Sequence, residues 1–384
     1  WILASCIPIS IGFYAVFAPP FSMQGADLTL WMTIAIVGFY SAMTLFFVPH
    51  MALGAELSVD YHERSRLFGV RHIFYTLGSI LSLGAMYLLI NEEFAEGGNV
   101  RLMAREQALV AIAIMVVLVI YAVVMLRERP EFQNRQQGGP LQAFTDIWGN
   151  PHAKLLIIVT FIEYVGSAAI AALTLYISQY VVGAPAMAPL IILAYMIPST
   201  VFVPLWIPLS KRFGKIRVWM FGMILTGLSF GGMFSLPFID SVEQRLFWII
   251  VLAAFAGLAA GCGGTLGPSV QGDVIDYDEY KTGERKEGSY FAAWNFVHKS
   301  ALGVMLLLTG FVLDFAGFMP NVEQTMQVKI AMVSLYGLFP LVCYTVGAIL
   351  FSRFSLDEKA YEVIRTELDA RRAKAAEEAD ATAQ

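Results

Sequence analysis

Asp60-Tyr61-His62-Glu63-Arg64 returns, degenerate but readable, as Asp276-Tyr277-Asp278-Glu279-Tyr280-Lys281, each copy on a polar stretch between two apolar runs. A charged string repeated at matching points of two hydrophobic halves suggests an internally duplicated helix bundle embedded in lipid. On this reading both strings lie in loops at equivalent positions of the two halves.

Composition sets the same frame. Apolar residues make up 58% of the 384-residue chain and charged ones 14%, with a mean hydropathy of +0.65; soluble domains carry roughly a quarter charged residues. Most of the chain therefore belongs in a bilayer. About 20 apolar residues span the hydrocarbon core as a helix, and ten such runs occur, near 1–18, 29–55, 68–90, 107–126, 155–183, 187–209, 217–237, 246–270, 290–316 and 329–352. A membrane barrel would alternate in segments of roughly ten residues, so the expected fold is an all-α integral membrane protein. Cys6, Cys262 and Cys343 lie inside apolar runs and suggest neither a disulfide framework nor a zinc site. The net charge of −5 comes with acids gathered after Leu356 and around Glu92, which leaves nucleic-acid binding without a footprint. No phosphate-cradling loop of the ATP-driven pumps is present, and no cofactor is implied.

Lysine and arginine give the orientation. The segments after the second, fourth, sixth and eighth runs hold Arg64, Arg66, Arg71, Arg127, Arg129, Arg135, Lys154, Lys211, Arg212, Lys215, Arg217, Lys281, Arg285 and Lys286. The alternate segments hold Arg101, Arg105, Arg245 and Lys329. By the positive-inside rule the first group is cytoplasmic, and the C-terminal tail with it. Residues 127–153, with Gln136-Gln137-Gly138-Gly139-Pro140 and Gly149-Asn150-Pro151, form the longest polar connection and read as a cytoplasmic linker. It divides a four-helix bundle at 1–126 from a six-helix bundle at 154–354, with a charged tail over 355–384. If the two strings are equivalent, the first bundle lacks two helices ahead of Trp1, and the whole would be six plus six. In the tail, Leu356, Ala360, Val363, Ile364 and Leu368 recur near helical spacing. This predicts a surface-lying or solvated helix that frays beyond Arg372.

Two duplicated bundles and a cytoplasmic linker resemble the major facilitator superfamily. The finer match lies in VPHMALGAELSVDYHERSRLFGVR at 48–71, GDVIDYDEYKTGERKEGSYFAAWNFVHK at 272–299 and FMPNVEQT at 318–325. These resemble the signatures of the glycoside–pentoside–hexuronide:cation symporter family. The resemblance implies alternating access in a cytoplasmic (inner) membrane, with sodium or a proton as coupling cation and a carbohydrate or other small polar solute as cargo. It also implies that acidic cation ligands lie on the second helix of the full bundle, ahead of Trp1. Where sugar-binding members carry a sugar-contacting Asp this chain has Phe47, their aromatic four residues on corresponds to Met51, and an aromatic near Gly264 is missing. His50 then offers a polar group to the cavity. The more apolar Phe47 and Met51 keep a lysolipid or amphiphile carrier open as the alternative. A membrane enzyme or a sensor is the remaining rival; no compact nucleophile–base or metal motif supports the enzyme.

Ionisable groups inside spanning helices cost about 2.5–3.5 kcal/mol on insertion scales and usually face an aqueous path. Glu163 stands nine residues beyond Lys154, ~13 Å along a helix. It is a candidate for a proton or polar cargo, or a packing carboxylate bonded to Ser167. Lys281 is a candidate cavity lysine by resemblance, or a topology anchor. His298 and Lys299 lie in the ninth run, where a proton shuttle and an ion pair compete with ordinary interior roles. Asp60, Glu63, Arg64 and Arg71, with Asp273, Asp276, Glu279 and Arg285, are candidates for charge pairs closing a cytoplasmic gate. The glycines at 257, 261, 263, 264 and 267 predict close helix contact. The expected partners are the solute, the coupling cation and the bilayer, the protein acting as a monomer.

Overall fold

The computed structural model describes residues 1–58, 60–90, 100–126, 145 and 147–383, and every regular element among them is helical. Residues 127–144 and 146, most of the expected linker, lie outside the described residues. The helices are α1 Ile2–Phe17, α2 Gly25–Leu57, α3 Tyr61–Ile90, α4 Val100–Met125 and α5 Pro151–Tyr176. They continue with α6 Ala188–Val201, α7 Val203–Phe213, α8 Lys215–Gly232, α9 Val242–Thr282, α10 Glu287–Phe315, α11 Met326–Val333, α12 Phe339–Phe351 and α13 Glu358–Ala383. A π-helical turn, Ser334–Leu338, joins α11 to α12 into one span. All ten apolar runs are thus helical. Among the described residues seven helices are long and apolar enough to cross a bilayer, or eight with α6 and α7 as one span bent by 49°. The bend falls at Phe202, between Pro198 and Pro204, whose missing N–H groups interrupt the helical ladder.

The chain divides into two compact units, one of residues 1–57 and 78–135, the other of 58–77 and 136–384. One boundary, between residues 135 and 136, falls within the expected linker, and two more, after 57 and after 77, set part of α3 apart. Residues 58–77, the opening half of α3, pack with the second unit, so α3 begins in one unit and finishes in the other. In the first unit α1 packs on α2 and α4. Gly12 permits this contact, since a Cβ there would lie 2.9 Å from the Phe39 Cα, and the Trp31 indole donates to the Ala15 carbonyl at 2.9 Å. In the second unit α9 is the central post, packed on α6 and α8, while α12 fills the space between α5 and α8. Leu173, Phe230, Met233, Ile249, Met305 and Met332 are core members. A Cβ on Gly257 would strike the Tyr195 carbonyl and one on Gly261 would lie 2.5 Å from that of Ser199, so only glycine lets α6 and α9 meet.

Three local expectations change. Neither charged string is a loop: Asp60 caps α3 and Tyr61–Arg64 is its first turn, whereas 276–281 closes α9. The strings flank their turns from opposite sides, so the equivalence lies in the turns and not residue by residue. The tail helix runs on to Ala383 instead of fraying after Arg372, and it is docked. Its buried face is Tyr361, Ile364 and Leu368, whereas Val363 is 67% exposed.

Candidate functional site

The start of α3 lies antiparallel along the end of α9 because small residues alternate across the seam. Ser65 and Ser269 share a hydrogen bond at 3.0 Å, and a Cβ on Gly69 would lie 3.1 Å from the Thr265 methyl. The His72 ring fills the slot left at Gly264, where any Cβ would collide with it, and it bonds to the Ser199 backbone beside the α6–α7 bend. Gly272 seats Arg64 in the same way, since a Cβ would come within 2.8 Å of the Arg64 Cδ. Asp60 fixes the first turn by accepting from the amides of His62 at 2.9 Å and Glu63 at 2.7 Å. The Glu63 amide chiefly holds the Asp60 carboxyl below its ordinary range.

Arg64 is fully buried. Its guanidinium forks across two carboxylates one helical turn apart, Nη1 to Asp273 Oδ1 and Nη2 to Asp276 Oδ2, both at 2.7 Å, while Nε donates to the Ser58 carbonyl at 3.2 Å. The other Asp273 oxygen receives the Lys215 ammonium at 2.7 Å, itself 3.3 Å from the centre of the Tyr61 ring. Asp276 Oδ1 receives Arg285 Nη1 at 2.8 Å, and Asp276 Oδ2 also accepts from the Tyr361 hydroxyl at 2.7 Å. Arg285 further bonds Glu279 at 2.7 Å and Glu287. Burial pushes the Tyr361 hydroxyl well above its usual range, so it stays protonated and donates. Lys215 opens α8, a helix end whose dipole disfavours a cation by about 0.3–1 kcal/mol. Asp273 offsets that cost. Three buried cations and four buried carboxylates from α3, α8, α9, the α9–α10 turn and α10 thus close on one another, and α13 adds a neutral donor.

Other expected residues sit elsewhere. Asp60 is exposed and acts as a cap, while Glu63 is exposed and pairs with Arg66 at 3.6 Å. Arg71 lies two turns along α3 from Arg64, half-buried in the field of Tyr75 and Tyr164, outside the charged cluster. Lys281 is exposed in the last turn of α9, its ammonium 5.6 Å from the Tyr280 ring centre and 5.8 Å from that of Tyr277. It therefore anchors a helix end rather than lining a cavity, as the dipole and water both favour there. Glu163 is half-buried on α5. Its Oε1 and the Trp219 indole nitrogen lie 3.6 and 3.5 Å from where a Gly263 Cβ would stand, and Ser167 bonds Tyr344 instead of Glu163. His298 packs its ring 4.6 Å from that of Tyr164, the neighbour of Glu163, and Lys299 is exposed beside it. His50, in the other unit, stacks on Phe46 at 5.2 Å.

At the other end of α9 a cavity of ≈520 Å³ is lined by Gln179, Arg245, Asn321 and Lys329 among others. Arg245 is engaged there, donating to the carbonyls of Val181 at 2.5 Å and Asp240 at 3.2 Å.

Sequence reasoning missed Lys215, Glu287 and Tyr361. Lys215 counted only as topology. Tyr361 was legible as the residue three and seven positions before Ile364 and Leu368, one face of a helix.

Several known proteins are similar to this chain. The family model described as MFS/sugar transport protein matches residues 1–358. The inner membrane symporter YicJ of Escherichia coli is 22% identical over 362 residues, covering 92% of this chain and 75% of that protein. The human sodium-dependent lysophosphatidylcholine symporter 1 is 25% identical over 407 residues, covering 96% and 73%. A putative 2,3-dihydroxypropane-1-sulfonate exporter of Escherichia coli is 25% identical over 389 residues, covering 97% and 80%. Among solved structures, the major facilitator transporter FucP in the outward conformation aligns with a TM-score of 0.66 at 12% identity, over 92% of this chain and 82% of that one. The proton:xylose symporter XylE aligns with a TM-score of 0.61 at 14% identity, over 93% and 80%. With its matching helices, its bent and glycine-packed spans and a family model that covers nearly all of it, the chain belongs to the MFS/sugar transport protein family.

Proposed function

We propose that this protein is a secondary active transporter that couples a sodium or proton gradient to the movement of a glycoside or other small polar solute. Its charged end and C-terminus face the cytoplasm of a cytoplasmic membrane. The buried cluster around Arg64, Asp273 and Asp276 is its inner gate. The observation that carries this reading is the Arg64 fork, at 2.7 Å to both carboxylates, on a helix divided between the two units. A buried charge network closes strongly when complete and becomes costly when one partner leaves. It therefore suits a contact that is either fully made or fully broken as the bundles rock. Arg71, Glu163, Tyr164 and His298 lie deeper along the helices of the second unit and are its candidate cargo and cation residues, with Lys299; His50 is a separate candidate in the first unit.

A lysolipid carrier is the second reading. It is supported by the match over 96% of the chain to a protein named for sodium-dependent lysophosphatidylcholine symport and by Phe47 and Met51. The sulfonate named for another relative adds anionic polar cargo to the panel. The test is uptake into proteoliposomes by the protein expressed from its complete gene. Labelled glycosides, sulfonates and lysolipids are offered with sodium, proton or no gradient. Gradient-driven accumulation of a polar solute is the expected result. Accumulation of lysolipid alone supports the second reading, and no flux of any of them overturns both.

A further inference from the structure

The tail helix touches both charged strings at once. At its start Asp357 caps it, accepting from the Ala360 amide at 3.0 Å. Glu358 then reaches the opening turn of α3, Oε1 lying 2.8 Å from His62 Nε2. One turn on, the Tyr361 ring packs 5.2 Å from the Tyr61 ring, also on α3, while its hydroxyl crosses to Asp276 on α9. At the far end Arg371 donates to the Tyr280 carbonyl at 2.9 Å and covers that ring at 5.1 Å. Ile364 and Leu368 between them are buried, as are Phe354 and Leu356 in the lead-in. The tail joins the first turn of α3 to the last turns of α9, the two elements whose separation opens the gate.

We propose that α13 is a clasp on the inner gate, and that the Tyr361 hydroxyl is a positioning group that holds Asp276 in place to receive Arg64 and Arg285. The proposal rests on the gate reading above. With the clasp seated, Asp276 has three donors and the closed end is favoured. With the clasp lifted, Asp276 loses its neutral donor, α3 loses its contacts from Glu358 and Tyr361, and the closed state is held by the ion pairs and the Ser65–Ser269 seam. The tail thereby sets how often the inner end opens, and anything that captured its Tyr361, Ile364 and Leu368 face would raise that frequency.

The experiment uses Ser269→Cys, buried on the α3–α9 seam, as reporter, in a background with Cys6, Cys262 and Cys343 replaced by serine or alanine. Alkylation by a membrane-impermeant maleimide is measured from the charged side. Tyr361→Phe keeps the ring and removes only the hydroxyl. A hydrogen bond to a charged group contributes enough that alkylation should rise roughly 10- to 100-fold. A stop codon after Leu356, which removes α13 and spares the buried lead-in, should raise it at least as much. A merely structural tail would lower the thermal midpoint and leave the alkylation rate unchanged. If either variant stays within two-fold of the parent while Arg64→Met accelerates alkylation, the gate stands and the clasp is refuted. If Arg64→Met also has no effect, the gate reading fails and the clasp with it.

Discussion

Replacing Arg64 with methionine separates a moving gate from a static buttress. The side chain is fully buried and holds Asp273 and Asp276 at 2.7 Å each, so Met leaves two buried carboxylates short of a partner. Breaking a buried pair from one side costs about 3–5 kcal/mol. The lower end applies here, because Lys215 still reaches Asp273 while Arg285 and Tyr361 still reach Asp276. If that cost falls on the closed conformation alone, about 3 kcal/mol moves the open:closed ratio by roughly two decades. Alkylation of Ser269→Cys from the charged side then rises about 100-fold, with the thermal midpoint little changed once the open state dominates. Adding Asp276→Asn should recover part of the shift, since it removes one of the stranded charges. A lower midpoint with unchanged alkylation refutes the gate, because the fork would then sit inside a body that never opens. No change in either refutes the energetic argument itself.

Gly257→Ala should lower the thermal midpoint by the equivalent of about 1–3 kcal/mol, because the new methyl meets the Tyr195 carbonyl where α6 crosses α9. Gly78→Ala on α3, which meets nothing within 4 Å, should raise stability by about 0.5–1 kcal/mol through helix propensity; the two variants moving in the same direction would overturn the close-packing argument. Asp60→Ala should cost about 0.5–2 kcal/mol by uncapping α3. The carboxyl is held below its ordinary range in the folded state, so its contribution is present above the ordinary carboxylate range and is lost as pH falls through the lowered value. A difference between Asp60→Ala and the parent that grows in acid would contradict the cap.

The membrane class and the helical character of the apolar runs were legible because burial in lipid leaves a one-dimensional trace, some 20 apolar residues at a time. The charged strings were legible as important and misread in place. Nothing in Asp276-Tyr277-Asp278 says that α9 continues twelve residues beyond its apolar stretch, where side-chain bonds from α3 and packing by α13, rather than hydropathy, meet it. Arg64, Asp273, Asp276, Glu279 and Arg285 were named and do converge, while Asp60, Glu63 and Arg71, chosen by proximity along the chain, do not. A cap, an exposed pair and a mid-helix cation differ from a member of the buried charge cluster only in the helical face they occupy. Lys281 and Lys215 traded roles for the same reason. Both are lysines at helix ends, and only the fold places Tyr61 and Asp273 beside one of them. Gly264 was noticed as an empty aromatic position, yet its occupant, His72, lies 192 residues away in the chain and carries no motif of its own.

The division of α3 between the two units has a consequence for dissecting the protein. A gene split between residues 127 and 144 would look natural, one fragment to each bundle. It would nevertheless leave residues 58–77 on the wrong fragment. The second fragment alone would carry Lys215, Asp273 and Asp276 without Arg64, an open groove along the Thr265–Gly272 face of α9, and a tail with only half its attachment. Fragment complementation should therefore be strongly asymmetric, the second piece depending on the first for a missing helix half as well as for a partner bundle. A cut just ahead of residue 58, before α3 begins, would instead give the second piece its own charged cluster intact.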